Sequence, residues 1–218
     1  MEIPEPESDI ICSNDYAALG LKDSRKKKLG NPRILSLLAT LLENSVEKNE
    51  RFLETPQTKD VITIFHGLRA PSLSIQQYID RIFKYSCCSP SCFVIAQIYM
   101  DRFIQRTNLF LTSLNIHRIL ITSVMVAAKF MDDAFFNNAY YAKVGGVSTA
   151  EMNKLEMKFL FSLDFRLYVS VQTFDKYCSV FKRVAAKSEL IERPIQACGV
   201  EESWTNKDDS TRAQSVAR

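Results

Sequence analysis

Residues Ile119–Ala128 read ILITSVMVAA, a run without a single charge. At helical spacing the run is apolar or small on every side, so it has no face to offer water and needs enclosing on all sides. It falls short of the roughly 18 apolar residues that a membrane span requires. A helix of this kind belongs at the centre of a domain, wrapped by amphipathic elements. The rest of the chain supplies helices for that role. Only six glycines occur among 218 residues, and no alternating strand pattern recurs.

The start signals of the surrounding helices can be read one by one. Asn31-Pro32 opens a helix over 32–54, with Ile34, Leu37, Leu38, Leu41 and Leu42 on one face. Ser74-Ile-Gln-Gln77 matches a capping box and opens a helix ending near Tyr85. Ser89-Pro90 supplies an N-cap followed by proline at the first helical position, for a helix to about Arg106. Ser113 or Asn115 opens the central helix, which runs to about Met131. Asn137 or Asn138 starts a short helix that Gly145-Gly146 stops. Ser148-Thr-Ala-Glu151 is a second capping box. Ser170 caps a final helix whose buried side is Val171, Phe174, Tyr177, Cys178 and Phe181. The fold class expected is all-α, a single domain built around one apolar helix. Residues 1–31 and 186–218 are expected to be flexible tails.

Composition narrows the functional classes. A hydrophobic content of 46% supports one well-packed core, and a net charge of +3 is too small to imply nucleic acid by itself. The acidic start MEIPEPESD lacks the basic and apolar regions of a secretory signal. The six cysteines, with Cys87, Cys88 and Cys92 clustered, are therefore read as free thiols in a reducing compartment. They lack the second Cys/His pair of a structural zinc site, so no metal is expected. No glycine-rich phosphate loop and no paired acid and base appear, so neither cofactor nor catalysis is expected. The run Arg25-Lys26-Lys27-Lys28 is compatible with a nuclear-import signal, although a solvated tail is the simpler reading.

Two charges interrupt the apolar pattern. Lys129 follows the central run at once, and Glu156 projects from the stripe Met152, Leu155, Phe159, Leu160 and Leu163. Buried charges are costly unless paired or hydrogen-bonded. Either these two satisfy each other or backbone groups within the fold, or they face another polypeptide. The second reading is preferred, because apolar surroundings ringing a few oriented charges are how interface hot spots are built.

Three short strings then carry a resemblance. Tyr99-Met-Asp-Arg-Phe103 resembles the signature on the second helix of the cyclin box, Ala127-Ala-Lys-Phe130 the end of its third, and Lys154-Leu-Glu-Met157 its fifth. Their order and spacing also fit. The longer strings FKYSCCSPSCFVIAQIYMDRF and NNAYYAKVGGVSTAEMNKLEMKFL are similar to plant P-type (U-type) cyclins, themselves similar to the yeast cyclin of the phosphate response. The resemblance implies a five-helix cyclin box with an extra helix on either side, the box and following helix covering 71–183. It implies a non-catalytic subunit that binds and activates a cyclin-dependent kinase of the A-type or phosphate-pathway kind, in cell division or nutrient signalling. Lys129 and Glu156 would bind backbone groups of that kinase, with Phe130, Leu160, Phe165 and Leu167 as apolar contacts. Asp101 and Arg102 would be structural, with Arg69 or Arg81 as candidate partners of Asp101. Nucleus or cytoplasm is the implied location, without membrane or direct nucleic-acid contact.

The chain departs from cell-cycle cyclins at Pro71-Ser-Leu-Ser-Ile75, where their substrate-docking helix begins. Its only tryptophan, Trp204, lies far away in the tail. Docking of substrates through that patch is not expected. The rival function is a helical nucleic-acid-binding domain, which would need a clustered basic face.

Overall fold

A computed structural model describes residues 13–21, 31–54 and 61–192. Its helices are α1 (Ser13–Ala18), α2 (Arg33–Leu53), α3 (Ile75–Ser86), α4 (Ser91–Thr107), α5 (Ile116–Met131), α6 (Asn138–Gly145), α7 (Thr149–Ser162) and α8 (Val171–Glu192). Among the described residues there is no strand, so the all-α expectation holds.

The apolar run lies where its composition demands. Every residue from Ile119 to Ala128 is buried, and α5 packs against α3, α4, α6 and α7. Each fully enclosed Leu, Ile or Val stabilises the fold by roughly 1.5–3 kcal/mol, so this helix anchors the core. Phe65, Phe103 and Phe159 fill the adjacent space, with ring centroids of Phe103 and Phe159 5.0 Å apart. On the far side of α4, α2 and α8 pack against each other.

Local signals explain most helix starts. At Ser74 the hydroxyl accepts from the Gln77 amide, and the Gln77 side chain accepts from the Ser74 amide, a complete capping box. Ser148 accepts from Glu151 N at 3.1 Å, and Asn137 caps α6. Ser170 accepts from Thr173 N at 3.2 Å at the start of α8. Gly146 stops α6 in the left-handed region (φ 72°) that glycine adopts without a side-chain clash.

Four expectations are corrected. Ser89 does not cap α4: its hydroxyl lies against Cys92 Sγ, and Pro90 takes the N-cap position in helical conformation. Val171 is 74% exposed at the first turn of α8, because the helix turns toward the core only from Phe174 onward. A short helix, α1, stands within the expected N-terminal tail. Leu19 beyond it is buried and gives its carbonyl to Ile34 N at 3.1 Å, supplying the cap that α2 lacks. Finally, α8 runs past Ala186 to Glu192. The basic run 25–28 and the remaining tail, with Trp204, lie outside the described residues.

Candidate functional site

Lys129 lies in the last turn of α5, and Glu156 stands mid-way along α7. The packing of α5 on α7 brings them together, with Lys129 Nζ to Glu156 Oε1 at 2.6 Å. Their side chains keep 25% and 16% exposure, so the pair is neither free nor sealed. Asn138, at the first position of α6, completes the group. It accepts from Lys129 Nζ, donates to Glu156 Oε2 at 2.6 Å, and donates to Asn153 Oδ1 at 2.8 Å. Three elements thus meet at one carboxylate. Lys129 spends two of its three N–H donors inside this group, and both Glu156 oxygens keep unused lone pairs. The residual exposure of both side chains leaves part of the pair open to solvent.

Apolar surface surrounds the pair. Phe130 is 49% and Phe165 53% exposed, and Phe130, Phe165 and Leu167 line a single open cleft of about 650 Å³ beside the pair. Leu160 is partly buried against the core, one helical turn from Glu156, and is not part of the cleft wall. Met131, Met157, Phe161 and Tyr168 are exposed as well. Arg102, Arg106 and Arg166 close the other side of the cleft.

The loop that presents Phe165 is held from α4. Tyr99 OH donates to the Leu167 carbonyl at 2.7 Å, and Arg102 Nη1 donates to the carbonyls of Arg166 at 2.9 Å and Tyr168 at 3.1 Å. Asp164 and Phe165 both adopt left-handed backbone (φ 55° and 54°), an uncommon state for a bulky side chain. The Phe165 amide is nevertheless satisfied by the Leu160 carbonyl at 3.0 Å, so the turn is fully hydrogen-bonded. This strained turn points Phe165 away from the core, in an edge contact with Phe161 at 5.3 Å.

Asp101 turns the other way. Its carboxylate accepts from Tyr177 OH on α8 and from Gln97 Nε2, both at 2.8 Å. Neither Arg69 nor Arg81 is its partner; Arg81 donates to the Lys143 carbonyl at 3.3 Å instead. Burial raises the Asp101 pKa, with the Tyr177 and Gln97 hydrogen bonds opposing. Asp101 and Arg102 are therefore supports, one fixing α8 and the other the cleft wall. His66 and His117 serve the frame too: His66 Nδ1 accepts from Thr63 N at 2.9 Å, and His117 Nε2 stands 3.0 Å from the Leu73 carbonyl.

A family model described as Cyclin matches residues 32–167. The chain belongs to the cyclin family. It is 57% identical over 183 residues to Cyclin-P3-1 of Oryza sativa subsp. japonica, covering 83% of this chain and 77% of that one. It is 47% identical over 212 residues to Cyclin-U3-1 of Arabidopsis thaliana, with 96% of both chains covered. To Cyclin-U4-1 of the same plant it is 51% identical over 161 residues, or 72% of this chain and 80% of that one. The cyclin-box resemblance of the three short motifs, and the likeness of the longer strings to plant P-type and U-type cyclins, are borne out. Cyclins are regulatory subunits without catalysis of their own, so this cyclin is placed among regulators rather than enzymes.

Asn138 is the site residue the sequence reading missed as such. There it figures only as a helix start, and nothing in its neighbourhood marks it as a third member of the pair. Its position four residues before Ala142 says which helix it begins, not which carboxylate it meets.

Proposed function

We propose that this cyclin binds and activates a cyclin-dependent kinase, A-type or phosphate-pathway-like, through the surface centred on Lys129 and Glu156. The role would lie in cell division or nutrient (phosphate) signalling, in the nucleus or cytoplasm. One observation carries the reading: a mostly covered, internally aligned ion pair with exposed Phe130 and Phe165 on the neighbouring surface. For a largely covered pair the cost of desolvation offsets much of the Coulombic attraction, so folding alone gives weak reason for this arrangement. Oriented charges inside an apolar ring suit a partner's backbone donors and acceptors.

Activation needs no chemistry on this chain. A kinase requires the lysine of its third strand to pair with the glutamate of its C helix, and its activation loop to clear the substrate groove. A cyclin that binds only that arrangement shifts the kinase toward it, by its differential affinity for the two states.

The test is capture of endogenous kinase by the full chain and by the variants Glu156→Ala and Lys129→Ala. Both variants are expected to keep their helical circular dichroism and to lose the kinase and its histone phosphorylation. Kinase retained by folded Glu156→Ala would overturn the reading.

A further inference from the structure

The cleft beside Lys129 and Glu156 has a side that their pairing does not explain. Its lining includes three arginines, Arg102, Arg106 and Arg166, and no carboxylate. The neighbouring carboxylates are engaged elsewhere. Glu156 is held by Lys129 and Asn138, and Asp101 accepts from Tyr177 and Gln97. Asp164 alone answers the arginines, through Arg166 Nε at 3.2 Å. The cleft therefore carries an excess of positive charge on the same wall system as the exposed rings of Phe130 and Phe165.

The fold accounts for these arginines unequally. Arg102 donates through Nη1 to the carbonyls of Arg166 and Tyr168, so it is needed to hold the cleft wall. Arg106 reaches the Ser162 carbonyl at the end of α7 at 3.4 Å, a long bond that uses one of its five N–H donors. There it faces the negative end of the helix. Arg166 does least for the fold. Its side chain is 74% exposed and that of Asp164 61%, and an exposed pair of this kind adds little stability. Its two Nη groups have no partner among the described residues. A guanidinium with free Nη groups presents a planar fork that matches a carboxylate in two parallel hydrogen bonds.

Resting on the kinase-binding reading above, we propose that this side of the cleft selects the partner by charge: the kinase segment that enters it carries an aspartate or glutamate. Its carboxylate meets the Nη groups of Arg166, with Arg106 adding charge, while apolar side chains of the same segment cover Phe130 and Phe165. The lining itself argues for that occupant. An apolar segment flanked by a carboxylate is complementary to an apolar and basic cleft without acids, whereas one flanked by lysine or arginine meets like charge. The loop that carries Arg166 is already fixed from α4 by Tyr99 and Arg102, so little order has to be gained on binding. A division of labour follows. Lys129 and Glu156 address backbone groups, which every kinase possesses, and Arg166 and Arg106 read a side chain, which differs from one kinase to another.

The test uses the full chain and the kinase it captures, purified and titrated against the fluorescently labelled cyclin by anisotropy. Arg166→Glu, and the same change combined with Arg106→Glu, are expected to keep the parent's circular dichroism, since both side chains are exposed. The single change should weaken binding roughly tenfold and the double change further, because like charge then faces the kinase carboxylate. Raising salt from about 0.05 to about 0.5 M shortens the screening length and should weaken binding by the parent but not by the double variant. Arg166→Lys keeps the charge without the fork and is expected to lose less than Arg166→Glu. It also places an amine in the cleft, which a water-soluble carbodiimide should join to an aspartate or glutamate of the kinase, located by mass spectrometry of the tryptic peptides. Parent-like affinity and salt dependence in the folded double variant would overturn selection by charge while leaving kinase binding in place. So would a cross-link confined to carboxylates of the cyclin itself, in the same or a second copy, or no cross-link at all. A kinase held by folded Glu156→Ala as tightly as by the parent would remove the kinase-binding reading, and this proposal with it.

Discussion

Asn138 donates to the Glu156 oxygen that Lys129 does not hold, at 2.6 Å, so one amide and one ammonium fix both ends of the carboxylate. Asn138 is itself fixed by its place at the start of α6, where Asn137 caps the helix. Preorganised groups lose less freedom when a partner arrives. Asn138→Ala is expected to cost about 1 kcal/mol of stability, the ordinary worth of one hydrogen bond. The same change should weaken kinase binding by roughly tenfold, about 1.4 kcal/mol. Thermal denaturation and titration of purified kinase separate the two effects. Unchanged affinity, with Glu156→Ala still inactive, would show that the pair orients itself without the amide.

Asp101 gives a pH dependence whose sign follows from its surroundings. Its pKa is raised in the fold, chiefly by burial, so in the window above the usual carboxylate value the folded chain binds more protons than the unfolded one. The contribution of this group is therefore fully present at acid pH and is lost as pH rises through the folded-state value. Asp101→Asn removes that slope. Gln97 Oε1 is buried without a partner, and a rotation of the Gln97 amide would let it accept from the new amide while Tyr177 still donates to the oxygen. The variant is expected to match or exceed the parent's stability at neutral pH, with a flatter acid limb in urea titrations. A large loss at neutral pH would mean that the charge itself stabilises α8.

Cys87 ends α3 in the left-handed region (φ 51°). A side chain there costs about 1–2 kcal/mol relative to right-handed backbone, whereas glycine adopts it freely. Glycine's larger unfolded-state entropy returns roughly 0.5–1 kcal/mol of that gain. Cys87→Gly is expected to raise the thermal midpoint by about 1–3 °C, read by circular dichroism. An unchanged or lower midpoint would place the strain elsewhere in the turn.

Much of the fold was legible because its signals are local. A helix apolar on every side can only be a core helix, and the serines at 74 and 148 cap within three residues of their own positions. The Lys129–Glu156 pair was legible as a clash between charge and pattern. The rest depends on contacts between distant segments. Nothing near Asp101 announces Tyr177, and nothing near Pro32 announces that the Leu19 carbonyl will cap its helix. The left-handed turn at Asp164 and Phe165 contains no glycine, so its usual marker is absent. Ser89 misled because its hydroxyl met a buried sulfur instead of the backbone amide that a helix start offers.

Two phenylalanines close in sequence separate folding from binding. Phe159 is fully buried against Phe103 and Phe65, and removing its ring leaves a cavity that neighbouring rings cannot fill. Phe159→Ala is expected to cost about 3–5 kcal/mol of stability. Phe165 is 53% exposed on a turn held by backbone hydrogen bonds and by the side chains of Tyr99 and Arg102, and its own ring supplies none of these bonds. Phe165→Ala should cost less than about 1 kcal/mol in denaturant midpoints. If the turn presents Phe165 to a kinase, the same substitution weakens the complex by about 2 kcal/mol, roughly thirtyfold. The decisive comparison is the ratio of the two losses for each variant. Equal binding by parent and Phe165→Ala would move the contact surface away from the cleft and leave the strained turn without a functional reason.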